Sequence, residues 1–181
     1  MDRQTLREQL PGLRRYARAL VGDPWAADDL VQDTLERACS RWHLWRAGSD
    51  LRAWLFTVMH NLHANQVRRA RLRPAPSAQI DVDEMADDLP GAEAPSDLAL
   101  DLQRCLLRLP EEQRTVLLLV TLEDLSYEAV ANILGIPVGT VMSRLSRARA
   151  RLREWMNPAE LAPGGSQDAE IQPHGTLRRL K

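Results

Sequence analysis

The stretch Ser126-Tyr127-Glu128-Ala129-Val130-Ala131-Asn132-Ile133-Leu134-Gly135-Ile136-Pro137-Val138-Gly139-Thr140-Val141-Met142-Ser143-Arg144-Leu145 decides the fold. Ser126 is suited to cap a helix, because its hydroxyl can accept a hydrogen bond from an unpaired backbone N–H of the first turn. Gly135 stands where that helix ends in the left-handed conformation, which glycine adopts at no steric cost. Small Ala131 lets a second helix, beginning at Pro137, cross the first closely. Two short helices joined by such a turn have the layout of a helix-turn-helix.

The second helix, Pro137 to about Trp155, divides into two faces. Val138, Val141, Leu145, Ala148, Leu152 and Trp155 share an arc of roughly 100°, the expected buried stripe. Thr140, Ser143, Arg144, Arg147 and Arg151 share another arc of about 100°, and Arg149 and Arg153 widen its basic surface. Such a face suits the major groove. Arg144 and Arg147 are candidates for bidentate contacts to guanine edges, and Thr140 and Ser143 for bonds to bases or phosphate. Arg149, Arg151 and Arg153 are placed to hold phosphates. The alternative, a solvated basic helix in a bundle, does not explain the turn before it.

Working outward, the chain has 181 residues, 44% hydrophobic and 27% charged, a balance that excludes disorder throughout. Aromatics are only 4%, and the hydrophobic residues recur in long amphipathic patterns rather than short alternating ones. The expectation is an all-α protein of two small helical domains. No run reaches the roughly 18 apolar residues of a membrane span, and Met1-Asp2-Arg3-Gln4 does not begin a signal peptide. A cytoplasmic protein with no membrane insertion is expected. Cys39 and Cys105 stand alone, and His60 and His63 lack a third ligand nearby, so neither a metal nor a cofactor is expected.

A formal net charge of -1 hides a strong segregation. Residues 1–73 carry 13 Arg and 8 acids, whereas residues 74–97 carry 7 acids and no base. Residues 98–156 carry 8 Arg and 7 acids, and residues 157–181 balance at three each. The acidic segment is rich in Pro and small residues and reads as a flexible linker. The tail, with Pro158, Pro163-Gly164-Gly165 and Pro173, reads as loose. Helices are predicted over Thr5–Leu20, Pro24 to about Trp42, Leu51–Arg71, Leu98–Leu109, Glu111–Leu122, Tyr127–Leu134 and Pro137–Trp155. Gly22 ends the first, and Asp23 with Pro24 starts the second.

In the second helix Ala27, Leu30, Val31, Thr34 and Ala38 oppose Asp28, Asp29, Gln32, Asp33 and Glu36. The latter form an acidic docking face. A merely solvated acidic face favoured by the helix dipole accounts for Asp28 and Asp29 but not for the continuation to Glu36. In the third helix Leu51, Trp54, Leu55, Val58 and Leu62 face inward, and Thr57, His60, Asn61, Ala64, Arg68 and Arg71 follow an outer polar arc. Trp54 and Trp155 fall on buried stripes and Trp25 is placed to staple a helix start. Trp42 and Trp45 border the loop Trp45-Arg46-Ala47-Gly48-Ser49-Asp50 and are candidates for stacking on a base.

The ordered motifs Asp28-Asp29-Leu30-Val31-Gln32-Asp33-Thr34-Leu35, Leu51-Arg52-Ala53-Trp54-Leu55-Phe56, Leu109-Pro110-Glu111-Glu112-Gln113-Arg114, Leu125-Ser126-Tyr127 and Gly139-Thr140-Val141-Met142-Ser143-Arg144-Leu145 resemble those of the extracytoplasmic-function sigma factors over about residues 5–155. The family more often has Glu at Asp33 and Phe at Leu35. The resemblance implies a noncatalytic factor that binds core RNA polymerase and directs initiation, with a stress or envelope-response regulon. Residues 1–73 would be its region 2, with the acidic face on the clamp of the largest subunit. The third helix and the loop with Trp45, Arg46, Gly48 and Ser49 would read and melt the minus-ten element around a flipped base. Residues 98–156 would be region 4, reading the minus-thirty-five element and resting on the flap of the second-largest subunit. The acidic linker would thread a basic channel, and an anti-sigma protein would restrain the factor. One rival is an ordinary regulator whose first module senses a ligand or dimerises. An enzyme is disfavoured, since no phosphate loop, nucleophile elbow or carboxylate cluster is present.

Overall fold

The computed structural model describes residues 3–45, 48–72 and 97–156. Linker residues 74–96, the tail and the loop residues Arg46 and Ala47 lie outside the described residues, as do the side chains of Arg3, Gln4 and Arg71. Among the described residues the protein is all α. Its helices are α1 (Arg3–Val21), α2 (Pro24–Ser40), α3 (Leu51–Leu72), α4 (Asp97–Arg108), α5 (Glu111–Thr121), α6 (Tyr127–Leu134) and α7 (Val138–Met156). A single 3-10 turn, Trp42–Leu44, follows α2.

Local chemistry sets the helix boundaries. Asp23 Oδ1 accepts from the Ala26 N–H at 2.6 Å, satisfying one unpaired donor of α2, and Pro24 at the first position has no donor to satisfy. Gly22, at φ +88°, turns the chain between α1 and α2. Asp50 likewise accepts from Ala53 at the start of α3, at 3.2 Å. The expected second helix is two residues shorter than read, because Arg41 leaves helical geometry and the chain tightens into the 3-10 turn.

α1 sends Leu13, Tyr16, Ala17 and Leu20 into the core, and α2 sends Ala27, Leu30, Val31, Thr34 and Ala38, the set its periodicity predicts. The Thr34 hydroxyl donates back to the Leu30 carbonyl at 2.7 Å, so its burial leaves no unpaired donor. In α3 the observed buried set is Leu51, Leu55, Phe56, Met59 and His63, while Trp54, Val58 and Leu62 are half-buried. The inward stripe therefore sits further round the helix than expected. The cause is a second partner: α3 packs on α2 along one side and on α6 along the other.

That contact joins the two halves of the chain. α1 packs on both α4 and α5, and one continuous core runs from Leu13 and Phe56 through Leu119 and Val130 to Leu145. Gln103 Nε2 donates to the Gly22 carbonyl at 3.1 Å, and a Cβ on Gly22 would meet Leu107 Cδ1 at 2.6 Å. At the end of α5 the chain passes through Asp124 at φ 50°, and this turn delivers Glu123 into the seam. The Glu123 side chain is 0% exposed. Its Oε1 accepts from Arg15 of α1 (Nη2, 2.9 Å) and its Oε2 from Arg52 of α3 (Nη2, 2.7 Å).

Candidate nucleic-acid interface

Both ends of α6 are made by local signals. Ser126 Oγ accepts from the Ala129 N–H at 3.2 Å, and Gly135 closes the helix at φ 63°, ψ 36°. The Ile136 N–H then donates to the Ala131 carbonyl at 3.1 Å, tying the turn down. α7 leaves at 103° to α6, within the range of a helix-turn-helix. Val141, Leu145 and Ala148 are buried and Val138, Leu152 and Trp155 half-buried, so the expected apolar stripe is the face that anchors α7. The Arg108 guanidinium lies 4.6 Å from the Trp155 ring centre and fastens the far end of α7 to α4.

Away from this stripe Ser143, Arg147 and Arg151 are exposed on one flank and Arg149 and Arg153 on the other, while Thr140 is half-buried. The Ser143 hydroxyl donates to the Thr140 carbonyl at 3.0 Å. Arg144 departs from this group: its side chain is 24% exposed and its Nη2 pairs with Glu112 Oε2 of α5 at 2.5 Å. It lines a cleft with His60, Ala64 and Arg68 of α3. The structure thus brings Arg144 beside the outer arc of α3 rather than leaving it in line with Arg147.

That arc is only partly open. Asn61 and Arg68 are exposed, but Thr57, His60 and Ala64 are half-buried and His63, expected on the polar surface, is buried. Burial holds the His60 imidazole below its usual pKa, with His63 reinforcing the shift and Glu111 opposing it. Burial, then Arg114, lowers His63 to about 4. Its Nε2 lies 3.6 Å from Glu111, too far for a hydrogen bond that would offset its burial. Near neutral pH both imidazoles are therefore uncharged, and the fixed positive charge on this stretch of α3 is carried by exposed Arg68 and Arg69.

In the loop before α3, Gly48 and Ser49 are exposed, and Gly48 adopts φ +91° with open space, to 4 Å, around the point where a Cβ would stand. Trp45 is half-buried and stacks on Trp42 with ring centres 4.8 Å apart; Trp42 meets Trp54 edge-on at 5.9 Å. The two indoles beside the loop thus form one aromatic wall with Trp54. Trp25, expected to staple the start of α2, is instead 72% exposed.

Asp28, Asp29, Gln32, Asp33 and Glu36 all lie on the exposed side of α2. Gln32 Nε2 donates to Glu36 Oε1 at 3.0 Å, and Gln66 Nε2 of α3 reaches Asp33 Oδ2 at 3.4 Å. Asp33 and Glu36 also line a groove together with Arg37, Leu62 and Arg69. Sequence reasoning missed Glu112, Glu123, Arg15 and Arg52. Their pairing spans long sequence separations, which no local pattern records.

The chain matches the family model described as the Sigma2 domain of PhyR over residues 6–60, and that described as Sigma-70, region 4, over residues 99–152. It is 38% identical over 171 residues to the ECF RNA polymerase sigma factor EcfG of Rhodopseudomonas palustris, covering 94% of this chain and 90% of that protein. The RNA polymerase sigma-E factor of Streptomyces coelicolor is 38% identical over 156 residues, 86% of each chain. Among solved structures, the sigma factor RpoE of Bartonella quintana, in complex with the anti-sigma factor NepR, has a TM-score of 0.72 and 36% identity, with 84% of this chain and 94% of that one covered. The chain belongs to the extracytoplasmic-function sigma factors, noncatalytic subunits that confer promoter specificity on RNA polymerase.

Proposed function

We propose that residues 98–156 read the minus-thirty-five promoter element as duplex while residues 1–73 dock on core polymerase and open the minus-ten element. The observation that carries this reading is α7: a helix anchored by Val141, Leu145 and Ala148 that leaves Arg147, Arg149, Arg151 and Arg153 exposed beyond a capped turn. Arg147 and Arg144 take guanine edges. Thr140 and Ser143 bond near the helix start, and Arg149 and Arg151 hold phosphates. Asp28, Asp29, Gln32, Asp33 and Glu36 face the clamp of the largest polymerase subunit, and the second module rests on the flap of the second-largest.

Trp45, Arg46, Gly48 and Ser49 receive a base of the melted strand, and Thr57, His60, Asn61, Arg68 and Arg71 follow the strand along α3. The neutral imidazole of His60 serves there as a hydrogen-bonding group. The factor works in the cytoplasm, and among the described residues no single helix is long and apolar enough to cross a membrane. Likeness to a sigma factor solved with its anti-sigma factor supports control by a protein of the same kind.

The test is run-off transcription with core polymerase on a genomic promoter library. Initiation at discrete start sites supports the reading, and Arg147→Ala should reduce it selectively at promoters with one minus-thirty-five sequence. An absence of initiation with core enzyme would overturn it.

A further inference from the structure

Glu123 carries the inference. It is a carboxylate with no exposed surface, at the α5–α6 turn of the second module, and both its charge partners belong to the first module. Arg15 reaches Oε1 through Nε (3.1 Å) and Nη2 (2.9 Å). Arg52 Nη2 takes Oε2 and the Glu123 backbone carbonyl, both at 2.7 Å. A buried carboxylate is costly unless paired and fully hydrogen-bonded, and here that condition is met only across the seam. Gly12 of α1 makes room for it, since a Cβ there would stand 3.0 Å from Oε2. Around this point Leu107 covers Gly22, and Arg144 is held by Glu112 in the cleft lined by His60 and Arg68.

The packed arrangement is incompatible with simultaneous use of both DNA faces. Elements centred ten and thirty-five bases upstream are roughly 25 base pairs apart, about 85 Å along the duplex at 3.4 Å per pair. In the structure Arg144 and the outer arc of α3 instead share one cleft. Resting on the reading above, we propose that Glu123 is a latch that holds the two modules closed, with its carboxylate occupying Arg15 and Arg52 as a phosphate group would. Closure withholds Arg144 and His60 from DNA. Opening exposes the carboxylate to water and frees both arginines, whose side chains, already 53% and 36% exposed, rehydrate readily.

Glu123→Gln keeps the shape of the latch and removes its charge. Gly12→Ala keeps every charge and presses on the carboxylate, while adding helix propensity to α1, so it answers the objection that Glu123→Gln simply unfolds the chain. The full chain, with buried Cys105 replaced by Ala, is labelled at exposed Cys39 on α2 and at Ser146→Cys on α7, and energy transfer between the dyes is measured in single molecules.

Wild type should give one high-transfer population. Both variants should raise the low-transfer population at least tenfold, with unchanged helical circular dichroism, and should bind a short duplex carrying the upstream element from the run-off experiment at least fivefold more tightly. Transfer in both variants equal to wild type would overturn the latch even where wild type initiates with core polymerase. Opening of the variants without any initiation by wild type would instead uphold the latch and sink the promoter reading.

Discussion

Arg147 and Arg151 lie one turn apart on the exposed face of α7, yet different outcomes follow from their removal. A bidentate contact to a guanine is worth about 1–3 kcal/mol, so Arg147→Ala should weaken the preferred duplex by roughly fivefold to 150-fold and relax preference at one base pair. Arg151→Ala should weaken all duplexes alike and reduce the slope of log affinity against log salt by about 1. Fluorescence anisotropy over a salt series distinguishes the two, and identical behaviour would refute the division of labour. His63 gives a pH prediction. Its folded pKa, about 4, lies below the ordinary 6.5 because burial disfavours the charged ring. Folding thus favours the neutral form; its contribution is complete above pH 6.5 and is lost as pH falls from there toward 4. The loss amounts to about 3 kcal/mol at most. His63→Gln should flatten that part of the stability profile in urea titrations between pH 7.5 and 4.5, and parallel profiles would show that another group is responsible.

At the scale of the element, the helix-turn-helix depends on two terminal devices. Ser126→Ala removes the side-chain acceptor of the Ala129 N–H, at a cost of about 1 kcal/mol. Gly135→Ala puts a Cβ in the left-handed region, where space is free but the backbone is strained, for about another 1 kcal/mol. Each should lower the midpoint of thermal unfolding by several degrees, and an unchanged midpoint would mean the turn is held by packing alone. These caps were legible in the sequence because a cap is decided within four residues. The buried face of α2 was legible for a related reason: α2 offers one face to the core, and helical periodicity records one face well. α3 offers two, so the outward set drawn for it included His60 and Ala64, which the structure half-buries, and its buried set omitted Phe56, Met59 and His63. Trp25 stands at a helix start where a staple is expected, yet it is exposed, because position alone does not say whether an apolar partner lies within reach. The candidate base-reading helix was therefore visible in outline, whereas the pairing of Arg144 with Glu112 was not, since it depends on where α5 lies.

In the structure the two linked domains that the charge pattern suggests pack against one another. A core running through both modules, closed by Glu123, predicts one cooperative unfolding transition for the free protein. Hydrogen exchange should report the same opening free energy for the slowest amides of α3 and α5 in wild type. In Glu123→Ala, which removes the ion pairs to Arg15 and Arg52 across the seam, the values should separate. Two values in wild type would show that the modules are thermodynamically independent. The seam escaped sequence reading because Arg15 and Arg52 stand 108 and 71 residues from Glu123, and nothing in Leu122-Glu123-Asp124-Leu125 marks that acid as buried.

Glu123 also limits how such factors can be recombined. Sigma factors invite chimaeras, in which the minus-ten specificity of one is spliced to the minus-thirty-five specificity of another at the connector. A donor module lacking an acid at this turn would leave Arg15 and Arg52 facing an unanswered seam, and a recipient lacking Gly12 would crowd the carboxylate. In this protein the exchangeable unit is therefore larger than either module: Gly12, Arg15, Arg52 and Glu123 have to be inherited together.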